Sequence, residues 1–119
     1  MAHDTISREK LHDALQRGDD LVVIEALGPM YFEDAHIPGA INIPDTEVAR
    51  LAPELVPDRD AAIVVYCANT PCPNSAVVAG ELCRLGYGNV RDYVEGKEDW
   101  VAAGLPTESG PVVAATAAH

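Results

Sequence analysis

The run Ile63-Val64-Val65-Tyr66 constrains the fold more than any other part of this chain. It is uncharged, mostly β-branched and too short to be a helix, so it reads as a buried strand. A loop follows, Cys67-Ala68-Asn69-Thr70-Pro71-Cys72-Pro73-Asn74-Ser75, and then a helical pattern from about Ala76 to Leu85. The rest of the chain repeats this alternation. Ser7 is placed to cap a first helix with Leu11, Ala14 and Leu15 on one face and Gly18 closing it. Leu21 to Ile24 reads as a strand, and a turn at Gly28-Pro29 leads into a short helix around Tyr31 to Ala35. Ile41 to Ile43 reads as a short strand stopped by Pro44. Asp45 is placed to cap a helix over Thr46 to Leu51, with Pro53 and Pro57 in a surface connection. Val78, Leu82 and Leu85 give the helix after the loop one apolar face, and Gly86 ends it. Val90 to Val94 is a further strand, and Lys97 to Ala103 a last short helix before Gly104 and Pro106. Strands alternating with helices predict an α/β fold, a mostly parallel sheet flanked by helices on both faces.

The 119 residues suit one domain, and 48% hydrophobic content is enough for one packed core. A formal net charge of -11 speaks against a nucleic-acid partner, which would need a basic face, and against binding to an anionic membrane. A monomer or weak dimer is expected. No stretch reaches membrane-span length, and Met1 to Thr5 lacks the pattern of a secretory signal, so the cytoplasm is the expected location. Three cysteines form no disulfide scaffold, and no His lies at metal-ligand spacing from Cys67 and Cys72. No metal site is expected. The domain is read over residues 5–108. From about Thr107 the pattern is lost, and 109–119 is read as a loosely ordered tail.

In parallel sheets ligands bind at the carboxyl ends of strands, and Cys67 lies at one. It also faces a helix N-terminus, whose unpaired N–H groups and dipole favour a thiolate, the reactive form of cysteine. Cys67 is therefore the candidate nucleophile. Ala68, Asn69, Thr70, Cys72, Asn74 and Ser75 are the candidate substrate-binding loop.

Four segments at this spacing resemble a single rhodanese domain. They are Leu21 to Glu25; Ala35-His36-Ile37-Pro38-Gly39-Ala40-Ile41-Asn42-Ile43-Pro44; Ile63 to Cys67 with Ser75, its helix and Leu85 to Val90; and Glu95-Gly96 with Trp100 and Ala103 to Pro106. The resemblance implies the rhodanese fold and a sulfurtransferase. Cys67 would take a sulfane sulfur from a small donor (thiosulfate, a polysulfide or a persulfide) as a persulfide, then pass it to a small-thiol or protein acceptor. It implies no metal and no organic cofactor.

The chain also departs from that family. Its Cys-x4-Cys loop is longer than usual and holds no Arg, Lys or Gly. Pro71 and Pro73 cannot donate hydrogen bonds and push Thr70 and Cys72 toward extended geometry, which removes part of an anion-binding nest. Thiosulfate is therefore expected to bind weakly. Where the family often has an acid-x-Arg triplet, the chain has Glu25-Ala26-Leu27. Lys97 stands near the loop mouth, where it either offsets the missing Arg or, on the simpler reading, is a solvated surface lysine. Cys72 is a possible resolving cysteine: it could attack a Cys67 persulfide, releasing sulfide and leaving a disulfide, or resolve a sulfenic acid. On the plain reading it only fills the loop.

The other candidates read as structural. Cys83 is expected to be a small core residue, His36 a hydrogen-bonded turn residue, and His3, His12 and His119 surface residues. Trp100 is expected to be a core anchor that needs a partner for its indole N–H. Three readings compete with a sulfurtransferase: a thiol redox or sulfur-carrier protein using Cys67 and Cys72, a non-catalytic binding module, and a phosphatase. The last lacks the cationic clamp that phosphoryl transfer needs.

Overall fold

The computed structural model describes residues 4–111. One five-stranded sheet runs through the molecule in the order β1-β5-β4-β2-β3, and every neighbouring pair is parallel. The strands are β1 (Asp4–Thr5), β2 (Val22–Glu25), β3 (Ile41–Asn42), β4 (Ile63–Tyr66) and β5 (Val90–Tyr93). The helices are α1 (Arg8–Arg17), α2 (Pro29–Asp34), α3 (Val48–Leu55), α4 (Asn74–Arg84) and α5 (Gly96–Ala102). Strand β4 is central and every residue in it is buried, as its uncharged run required.

Side chains alternate across β4 with period two, and this sorts the core into two layers. Ile63, Val65 and Cys67 face one way, joining Val48 and Ala52 of α3 and Val78, Ala79 and Leu82 of α4. Val64 and Tyr66 face the other way, with Leu11 of α1, Phe32 of α2 and Trp100 of α5. The expected α/β sandwich with helices on both faces is what the chain forms. The site follows from the strand order. After β2 the chain moves toward β3, and after β4 it moves toward β5. The crevice where these directions diverge lies at the carboxyl ends of β2 and β4, where Glu25 and Cys67 sit.

Several boundaries differ from the sequence reading. Strand β1, which pairs with β5, was not foreseen, because two exposed polar residues carry no periodic signal. Asp45 does not cap α3. That helix starts at Val48 and runs through Pro53 to Leu55. Its Val48, Ala52 and Val56 bury at i, i+4 spacing, and the Tyr87 hydroxyl lies 3.0 Å and 2.5 Å from the carbonyl oxygens of Ala52 and Val56. This burial outweighs the proline. Ser7 caps α1 as expected, its Oγ accepting from the Lys10 N–H at 3.2 Å. Thr107 does not begin a loose tail: Glu108 and His36 exchange two backbone hydrogen bonds at 2.8 Å, and the Gly110 N–H donates to Glu33. Residues 112–119, His3 and His119 lie outside the described residues.

Candidate functional site

Cys67 is fully buried, and its position follows from the β4 alternation: two residues past Val65, it takes the core-facing side toward α4. Its thiol donates to the carbonyl oxygen of Cys72 at 3.4 Å. The Ser75 hydroxyl and N–H also reach the Cys67 sulfur, as the helix N-terminus was expected to do. They do not prevail. Burial pushes the Cys67 thiol up, and the hydrogen bond to Cys72 pushes it the same way, against the pull of Ser75. Both effects act against the thiolate expected on Cys67. Cys72 shifts the other way. Burial raises it, but hydrogen bonds from the Cys67 thiol and the N–H groups of Ala68 and Asn74 outweigh that and hold it below the usual thiol value. Both thiols are free.

The loop between them is turned inward. The Cys72 N–H closes a turn onto the Asn69 carbonyl at 3.1 Å, and Pro71 and Pro73 have none to give. The Asn69 side-chain amide donates to Glu98 at 3.0 Å, and that of Asn74 to the Ala26 carbonyl at 3.2 Å. Cys67, Cys72 and Ser75 are thus brought together, whereas the amides of Asn69 and Asn74 bind within the protein and Thr70 stands exposed at the tip. Asp45 is near enough to Cys72 to oppose its ionisation.

The Lys97 ammonium does not compensate for the missing Arg, nor is it a solvated surface group. Only 15% exposed, it donates to Glu25 Oε2 at 3.1 Å and to the carbonyl oxygens of Tyr31 at 2.9 Å and Ala35 at 2.6 Å. Glu25 is fully buried, and the Tyr66 hydroxyl donates to it at 2.6 Å while accepting from the Ile37 N–H. Burial raises Glu25 despite the hydrogen bond from Tyr66 and the Lys97 charge, and burial beside that carboxylate raises Tyr66 strongly. Tyr66 directly precedes Cys67, so this network fixes the end of β4 from the opposite face.

A third support comes from α5. The N–H groups of Lys97 and Glu98 donate to the carbonyl oxygens of Cys67 at 2.8 Å and Ala68 at 2.9 Å. This close approach needs Gly96, at φ +73°. A Cβ there would lie 2.5 Å from the Cys67 oxygen and 2.9 Å from the Ala68 carbonyl carbon. Sequence reasoning missed Tyr66 and Glu25 as supports, and read Gly96 only as part of a motif. The minor candidates behave as structural groups. His36 is buried, with Nδ1 2.7 Å from the Phe32 carbonyl, and the Trp100 indole N–H donates to Pro106 at 2.8 Å. Cys83 is partly buried against the core, and His12 stands edge-on to Trp100.

A family model described as the Rhodanese-like domain matches residues 7–103. The HTH-type transcriptional regulator Rv0324 of Mycobacterium tuberculosis is 34% identical over 113 residues, covering 92% of this chain and 47% of that protein. The putative sulfur carrier protein YrkF of Bacillus subtilis is 27% identical over 95 residues, covering 80% of this chain and 49% of that protein. This chain thus spans about half the length of the curated relatives it matches. The BH2092 protein of Bacillus halodurans has the same fold, with a TM-score of 0.83 at 20% identity over 89% of this chain and 77% of that one. The parallel sheet and the family match lead to one conclusion: this chain belongs to the rhodanese-like family.

Proposed function

We propose that this domain is a sulfurtransferase that carries a sulfane sulfur on Cys67 and passes it to a thiophilic acceptor. The observation that carries the reading is the position of the Cys67 sulfur. It lies at the carboxyl end of the central strand, beside the crevice where the strand order reverses and next to the start of α4, whose Ser75 favours its ionised form. Burial raises the Cys67 thiol, so the first step is loss of its proton to solvent, which frees a Cys67 thiolate. The thiolate attacks the outer sulfur of a donor R–S–SH, forming the Cys67 persulfide and expelling R–S⁻, which takes up a proton. A thiol acceptor reverses the same exchange. Access to the buried sulfur requires the segment from Ala68 to Pro73 to swing aside. The donor is a small sulfane-sulfur compound and the acceptor a small or protein thiol. The acidic surface suits neither nucleic acid nor an anionic membrane, and a reducing compartment such as the cytoplasm keeps both thiols available.

The 3.4 Å hydrogen bond from the Cys67 thiol to the Cys72 carbonyl oxygen, which sets the second cysteine beside the first, favours a second reading, a dithiol redox or sulfur-carrier domain. Whole-protein mass after anaerobic incubation with inorganic polysulfide separates the two. A gain of one sulfur atom that is lost in Cys67→Ser supports the transferase. An unloaded chain that only cycles between dithiol and disulfide with an external dithiol supports the alternative.

A further inference from the structure

Resting on that sulfurtransferase reading, we infer that Cys72 discharges the Cys67 persulfide as hydrosulfide, leaving a Cys67–Cys72 disulfide. The contact geometry carries the inference. The Cys67 sulfur, which becomes the inner sulfur of the persulfide, lies 3.4 Å from the carbonyl oxygen of Cys72 and donates to it. That contact puts the two cysteines close enough for their side chains to approach disulfide geometry, with the sulfurs about 2.05 Å apart. The turn from Asn69 to Cys72 holds the second cysteine over the first, and the N–H groups of Ala68 and Asn74 support charge on its sulfur. Cys72 is also the less buried of the two, so the resulting disulfide is open to an external dithiol.

The step balances without a further reagent. The Cys72 thiolate supplies the electron pair of the new bond to the inner sulfur. The old sulfur–sulfur bond breaks, and its pair leaves on the outer sulfur as HS⁻, which keeps the persulfide proton. Attack on the outer sulfur would instead expel a Cys67 thiolate. The core around Cys67 disfavours that charge, which makes Cys67 the poorer leaving group. An external dithiol then reduces the disulfide and restores both thiols, so each cycle converts one sulfane sulfur into one hydrosulfide.

The test loads reduced chain with inorganic polysulfide without oxygen, desalts it, and follows hydrosulfide release and whole-protein mass together. The wild type should release one hydrosulfide per loaded chain as its mass falls to two hydrogens below the reduced form, with peptide mapping linking Cys67 to Cys72. In Cys72→Ser the extra sulfur should persist on Cys67 more than about tenfold longer, because the intramolecular nucleophile is gone. Cys72→Ala repeats the measurement if the serine disturbs the turn. Equal persulfide lifetimes in wild type and variant overturn the inference, as does an extra sulfur found on Cys72. If neither chain gains sulfur while both keep the same thermal transition, the sulfurtransferase reading itself falls, and that signature is distinct.

Discussion

Replacing Lys97 by Met tests the buried network behind the thiol loop. The Glu25 carboxylate has no exposure, and the Lys97 ammonium lies 3.1 Å from it at 15% exposure. At that separation, with an effective dielectric near 20, the attraction is about 5 kcal/mol. Truncation leaves the carboxylate with the Tyr66 hydroxyl as its remaining donor, strips the Ala35 carbonyl oxygen of the ammonium, and leaves the Tyr31 carbonyl oxygen with the Ala35 N–H alone. The expected loss of stability at pH 8 is about 3–5 kcal/mol, the usual cost of removing one partner from a buried pair. The cost should depend on pH. Burial already holds Glu25 above its ordinary value, so the folded chain binds this proton more tightly than the unfolded one. Such a group contributes stability below the unfolded carboxylate pKa of about 4.3, and that contribution is lost as pH rises through the folded value. Without Lys97 the folded value climbs further. The penalty should therefore shrink toward pH 4.5, leaving about 1–2 kcal/mol from the two carbonyl groups. Urea unfolding followed by circular dichroism at a series of pH values measures this. The Glu25→Gln/Lys97→Met double variant should recover more than half of the pH 8 loss. A cost under about 1 kcal/mol, flat with pH, would refute the reasoning and mark Lys97 as a solvated lysine after all.

Gly96→Ala should lose about 2–4 kcal/mol, from the left-handed backbone and the overlap with the Cys67 carbonyl. Gly80→Ala, in open space on α4, should gain about 0.5–1 kcal/mol; thermal unfolding compares the two. Limited iodoacetamide at pH 7 with peptide mapping should modify Cys72 before Cys67, since burial raises one thiol while hydrogen bonds lower the other; the reverse order refutes that assignment. Thr70→Arg, at the exposed loop tip, should raise kcat/KM for thiosulfate by about tenfold by supplying a charge-assisted contact. An unchanged value would show that the missing cation is not what limits anionic donors.

The central strand and the helix after the loop were legible because each obeys a local rule: a short β-branched run in β4, and an apolar face at helical spacing in α4. The same local rule could have shown where the Cys67 side chain points. Ile63, Val65 and Cys67 are spaced by two, so a strand that buries the first two carries the third to the same side. The dipole argument for a thiolate considered only the helix ahead and ignored this alternation. Lys97 could not be read in this way, because its partner Glu25 lies 72 residues away and only the folded sheet brings them together. The inward turn of the loop was half legible: the two prolines announced the lost donors, but not that Asn69 and Asn74 would spend their amides on Glu98 and Ala26.

The approach of Gly96 to the Cys67 carbonyl bears on how the chain is made. The last helix holds the backbone of the cysteine loop, yet synthesis delivers the loop first. While a nascent chain is still emerging, the carbonyl oxygens of Cys67 and Ala68 lack the Lys97 and Glu98 N–H donors, and they gain them only when the final helix docks. A chain that stalls just before that helix would leave the backbone at the head of the cysteine loop unanchored, so completing synthesis is also what fixes the loop in place.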